Sequence, residues 1–186
     1  MKKLYISPLL ILILCISAYF GAGRIVALVI AAAVLHEAGH ILTLVIQKKK
    51  IRRIALGLCG AVIESDCQTY KQEIICACAG PIVNAALSLL YSIAPVFAAI
   101  NFMLMMYNIL PIYPLDGGRI LRGVLLLNAE ETTVYKIVHW TNIVCCALLM
   151  VLSVFASVVY SWGLFPVFLT AAVLFKTGMM AAKDGY

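Results

Sequence analysis

The stretch Ile25 to Ile46 reads IVALVIAAAVLHEAGHILTLVI, and it decides what kind of molecule this is. The run is long enough for one bilayer crossing, which takes about 20 mostly apolar residues. Within it stand three ionisable side chains, His36, Glu37 and His40. Such groups are costly in lipid and mark a working site rather than filler. Residues four apart share a helix face, so both imidazoles can approach a single ion.

Composition agrees with a lipid setting. Of the 186 residues, 65% are apolar and 12% are charged, against about a quarter charged in soluble domains. Mean hydropathy is +1.06. The net charge of +6 is spread over the ends of apolar runs and forms no basic stripe with interleaved aromatics. Nucleic acid is therefore not expected as a partner. Seven cysteines, most inside apolar runs, read as small hydrophobes rather than as a disulfide framework. Cys76 and Cys78 are too close for the usual structural-zinc spacing.

Working outward, six spans are expected: Leu4 to Phe20, Ile25 to Ile46, Ile74 to Tyr91, Pro95 to Leu110, Ile137 to Tyr160 and Leu164 to Ala182. The fold class is an all-α polytopic membrane protein, a single domain over 1–186. Lys2 and Lys3 before the first run resemble a signal peptide, but its length and the span that follows favour a retained helix. With the N-terminus cytoplasmic, Lys48, Lys49, Lys50, Arg52, Arg53, Lys71, Arg119, Arg122, Lys136 and Lys183 all fall inside. That follows the rule that cytoplasmic loops are basic. Both termini are thus expected in the cytoplasm, with the chain multi-pass in the cell membrane. Between helices 2 and 3, Ile51 to Glu64 is too short and glycine-punctuated to span. Its β-branched residues fit a short membrane-dipping β element.

The five residues His36-Glu37-Ala38-Gly39-His40 form the zinc-peptidase pattern, two imidazole ligands and a glutamate placed as general base. Ile46 lies six residues beyond His40, so the pair sits about 10 Å inside the cytoplasmic boundary at 1.5 Å per residue. Catalytic zinc normally takes a third protein ligand. Asp116, in Asn108-Ile-Leu-Pro-Ile-Tyr-Pro-Leu-Asp116-Gly-Gly-Arg119, follows a span that ends on the same side. Pro111 and Pro114 break the helix ahead of it, and Gly117 and Gly118 allow a tight turn. His139 comes from the inner end of its own span, so geometry alone leaves both candidates open.

Three blocks in order resemble the site-2 proteases: His36 to His40, then Gly80-Pro81-Ile82-Val83-Asn84, then Asn108 to Arg119 with Leu115-Asp116-Gly117. The likeness covers about residues 25–125, the catalytic core. It implies that Asp116 is the third ligand of one zinc ion and that Glu37 activates water. It also implies that Asn84 and Asn108 line the substrate cleft. The Ile51 to Glu64 segment corresponds to that family's membrane-dipping element, which presents a strand edge to an unwound substrate. The compact form is most similar to the sporulation-factor subgroup, stage IV sporulation protein FB, without its C-terminal CBS domain and without a PDZ domain.

The expected activity is hydrolysis of peptide bonds in membrane-embedded or membrane-associated proteins near the cytoplasmic face, for example a transcription-factor precursor. The lipid bilayer and regulatory membrane proteins are the other partners this reading allows. A divalent-metal transporter would need a polar path through both leaflets, yet the outer halves of the spans are apolar. A non-catalytic scaffold would have no use for a complete ligand set beside a glutamate.

Overall fold

The computed structural model describes residues 3–6, 23–49, 51–57, 60–65, 69–159 and 171, with backbone alone for the three strands. The chain falls into two compact units, residues 1–109 and 110–186, taken here in turn.

The first unit begins with strand β1 (Lys3–Ile6) and continues with helix α1 (Gly23–Ile46). Strands β2 (Ile51–Gly57) and β3 (Gly60–Ser65) follow. Helix α2 (Tyr70–Ser88), a 3-10 turn (Leu89–Ser92) and helix α3 (Pro95–Asn108) complete the unit. The sheet order is β1-β2-β3. β1 runs parallel to β2, and β2 is antiparallel to β3 with Ile54 opposite Ile63. An irregularity between Ile51 and Arg53 interrupts the register. Two strands thus occupy the Ile51 to Glu64 segment.

One expectation needs correcting at the N-terminus. Leu4 to Ile6, read as the start of the first span, belong to β1. Leu-Tyr-Ile is a strand-favouring triplet, and pairing with β2 satisfies backbone groups that a helix start leaves open. The remainder of that expected span, and all of the sixth except Ala171, lie outside the described residues.

α2 starts where the sequence offers a cap, the Thr69 side chain accepting from the Gln72 amide at 3.4 Å. Glu73 in the first turn complements the positive helix end. α3 opens with Pro95 in its first turn, where a missing N–H costs nothing. α1 and α2 run antiparallel, with Gln47 beside Gln72 at one end and His36 beside Asn84 at the other. They approach closely at Gly39, where an added Cβ would lie 2.9 Å from the Ala79 carbonyl oxygen and from Val83 Cγ2. A small residue at a helix crossing lets two backbones meet in this way.

The interior is inverted relative to a soluble protein. Facing inward are His36, His40, Asn84 and Asn101, together with Ala32, Leu44, Cys76, Ala77 and Ala98. Facing outward are Val34, Leu42, Val45, Ile46, Ile75, Ile82 and Met103. Lipid replaces water as the solvent for those aliphatic faces. Helices Gly23–Ile46, Tyr70–Ser92 (with the 3-10 turn) and Glu131–Val159 are each long and apolar enough to cross a membrane. The expected fourth span is shorter than read. α3 has 14 residues, about 21 Å at 1.5 Å per residue, against a core about 30 Å thick. Among the described residues, then, three of the expected spans are helices long and apolar enough to cross, and the fourth is a shorter apolar helix.

The second unit carries an irregular passage from Leu110 to Leu115, then helix α4 (Asp116–Leu126) and helix α5 (Glu131–Val159). Leu126, Val134 and Val138 form its core, with Tyr113 and Leu125 packed against them. The expected break after the fourth span is present, but Asp116 is a helix opener rather than part of a free turn. Its negative charge there complements the helix dipole.

Candidate metal centre

α1 carries His36 and His40 inward, 6% and 5% exposed. Their Nε2 atoms stand 3.2 Å apart. Two nitrogens bound at 2.0–2.1 Å to one tetrahedral ion would be separated by about 3.3 Å. The ring planes meet at 80°, so the two edges converge.

Each ring is braced from α2. His40 Nδ1 lies 2.8 Å from the Cys76 carbonyl oxygen. His36 Nδ1 lies 3.0 Å from the side-chain amide of Asn84. Between these two supports is Gly80, where an added Cβ would fall 2.5 Å from His40 Nε2 and 2.6 Å from His36 Nε2. Cys76, Gly80 and Asn84 are spaced four apart, one stripe of α2 set against the four-residue step of the histidines.

Asp116 is buried, 6% exposed, and Arg119 Nη1 approaches its carboxylate at 3.7 Å. Asn142 on α5 clamps the passage ahead of Asp116. Its Oδ1 accepts from the Tyr113 amide at 2.8 Å, and its Nδ2 donates weakly to the Tyr113 carbonyl at 3.5 Å. At Gly118 an added Cβ would meet the Ile112 and Tyr113 backbone at 2.3–2.6 Å, so this glycine allows the chain to fold back on itself.

His36 and His40 in the first unit and Asp116 in the second carry the donor types that one metal ion needs. The donors suit the purpose: two imidazoles and a carboxylate are an ordinary catalytic-zinc set. The braced rings and the side-chain-free space over Gly80 fit an ion between them. His139, the other candidate, is exposed and stacks near Tyr135 and Trp140 at centroid distances of 5.9 and 6.2 Å.

Of the remaining expected site residues, Glu37 is half-buried beside His36. Asn84 is fully buried against His36, and Asn108 donates to the Leu104 carbonyl of its own helix at 3.0 Å. Sequence reading missed Asn142 and the Cys76 carbonyl. A lone asparagine in an apolar helix has no pattern to reveal it, and a backbone carbonyl has no residue signature.

The family model described as Peptidase family M50 matches residues 90–152, the segment holding Asn108 and Asp116. A zinc metalloprotease of Methanocaldococcus jannaschii is 31% identical over 112 residues, 53% of this chain and 33% of that protein. Stage IV sporulation protein FB of Bacillus subtilis is 27% identical over 191 aligned positions, 92% of this chain and 65% of that protein. The chain therefore spans about a third of the first relative's length and just under two thirds of the second's. The solved structure of the site-2 protease from Methanocaldococcus jannaschii superposes with a TM-score of 0.65 at 23% identity. That match covers 91% of this chain and 84% of the other, a likeness of fold. Over residues 90–152 the chain is thus similar to peptidase family M50, its sequence is similar to zinc metalloproteases of the site-2 type, and its fold is that of a solved site-2 protease.

Proposed function

We propose that the chain is an intramembrane zinc metalloprotease that hydrolyses peptide bonds of single-span or membrane-associated proteins near the cytoplasmic face. The observation that carries this reading is the pair of buried imidazoles whose Nε2 atoms lie 3.2 Å apart, with Glu37 directly after His36 in the sequence. His36, His40 and Asp116 would hold the ion. Zinc, when bound, supplies a Lewis acid that polarises the scissile carbonyl and lowers the pKa of water to about 7.

The protein's own groups do the rest. Glu37 takes a proton from the attacking water as the water oxygen adds to the carbonyl carbon. It then delivers that proton to the amide nitrogen as the C–N bond breaks. Arg119 stays beside the Asp116 carboxylate and moderates its charge. Burial of both histidines keeps bulk solvent from competing for them. Asn108 lines the substrate path, and a strand edge of the β1-β2-β3 sheet at the inner leaflet receives the unwound substrate. A helical span hides its peptide bonds, so substrates with helix-breaking residues near the cytoplasmic end are favoured. The chain is multi-pass with cytoplasmic termini, as the distribution of Lys and Arg indicates.

The test uses the detergent-purified chain and a single-span reporter carrying a helix-breaking residue near its cytoplasmic end. Cleavage should stop on chelation and return with zinc. Glu37→Gln should keep its zinc and lose cleavage by about 100- to 10,000-fold, the usual worth of general base catalysis. Full cleavage by the zinc-loaded Glu37→Gln variant would refute the assignment.

A further inference from the structure

The position of one proton on each imidazole decides which nitrogen can hold a metal. A neutral imidazole has one N–H and one lone pair. For His40 the answer is direct. Its Nδ1 faces the Cys76 carbonyl oxygen at 2.8 Å, a group that only accepts, so Nδ1 bears the hydrogen and Nε2 the lone pair. His36 must match it. Its Nε2 lies 3.2 Å from His40 Nε2, so a hydrogen there would point into the place where ligand lone pairs converge. The His36 proton then belongs on Nδ1, which needs an acceptor.

The group opposite is the Asn84 amide, 3.0 Å away. Amide oxygen and nitrogen have the same outline, so the donor inventory decides which end faces the ring. The far end of this amide has no hydrogen-bond partner among the described residues, and so the imidazole makes the choice. Asn84 is 0% exposed, closed off from lipid and from any passing substrate. We infer that Asn84 is a positioning residue: its Oδ1 accepts from His36 Nδ1–H and so fixes the tautomer that turns the Nε2 lone pair toward the metal. This rests on the metal-site reading above and replaces the expected role of Asn84 in lining the substrate cleft.

Outer partners of metal-bound imidazoles typically change metal affinity by about 10- to 100-fold. The test measures zinc affinity of the full detergent-purified chain by competition with a chromophoric chelator. Asn84→Asp keeps an acceptor of nearly the same size and should stay within about threefold of the parent. Asn84→Leu keeps the volume without the acceptor and should bind zinc about 10- to 100-fold more weakly. Leucine binding as tightly as the parent overturns the inference, as does aspartate failing as badly as leucine. A rise in KM for the reporter at unchanged zinc affinity restores the substrate-contact role and also overturns it. Nitrogen-15 NMR of histidine-labelled, zinc-loaded parent needs no variant. A hydrogen on His36 Nδ1 is expected, and one on Nε2 overturns the inference. A parent chain that takes up no zinc defeats the metal-site reading itself, a result distinct from any difference among variants.

Discussion

Replacing Gly80 by alanine puts one methyl carbon 2.5 Å from His40 Nε2 and 2.6 Å from both Nε2 and Cε1 of His36. Non-bonded contacts of this kind settle near 3.5 Å, so the overlap is about 1 Å at each ring. The helix backbone has little room to retreat, because Ala79 is already against Gly39. The rings must therefore move, by about twice the roughly 0.5 Å that a working site tolerates. Zinc affinity should fall by at least about 100-fold, which is about 2.7 kcal/mol. Alanine is meanwhile the better helix former by about 1 kcal/mol, so helix content should hold or rise. Chelator competition read beside circular dichroism on the same sample separates the two effects. Gly80→Ala that binds zinc within about threefold of the parent and cleaves at full rate would show that the imidazoles do not converge over this glycine.

Asp116→Ala removes the carboxylate ligand and should lower zinc affinity by at least about tenfold, read by metal content after dialysis against a weak chelator. Asn142→Leu leaves the Tyr113 amide without its acceptor, a loss of about 1–3 kcal/mol. It should lower the midpoint of thermal unfolding in detergent and slow reporter cleavage, and an unchanged midpoint would count against the clamp. Gly39→Val drives a branched side chain into the Ala79 carbonyl and should destabilise the α1–α2 pair by about 1–3 kcal/mol. Its signature is a lower unfolding midpoint even in zinc-saturated protein.

The site was legible in the sequence wherever a local period carries it. His36 and His40 needed only the four-residue step of a helix, and that step is what α1 uses. Asp116 was reached through Pro111, Pro114 and the glycines, which mark a helix break in any context. Its burial at the start of α4, held by the Asn142 clamp on Tyr113, depends on tertiary packing that spacing along the chain does not encode. The fold was less legible at its edges. An apolar run states hydrophobicity, not conformation, so Leu4 to Ile6 read as helix although β2 draws them into a sheet. Likewise Leu110 counted toward a span, although the backbone leaves the helix after Asn108. Pro95 marked the start of its helix in the sequence, whereas the third span, expected from Ile74, begins at Tyr70 behind the Thr69 cap, because a cap and a polar first turn carry no hydropathy signal.

The stripe of Cys76, Gly80 and Asn84 makes the alignment of two antiparallel rods a condition of metal binding. A single residue inserted between Cys76 and Gly80 would rotate everything on one side of it by about 100° relative to the other. One imidazole would then keep its brace while the other lost it. The pairing acts like the teeth of a key: the helices can be engineered freely on their lipid faces, but their phase cannot be shifted by one step. A transplant of this centre into another bundle would have to carry both stripes together, in register.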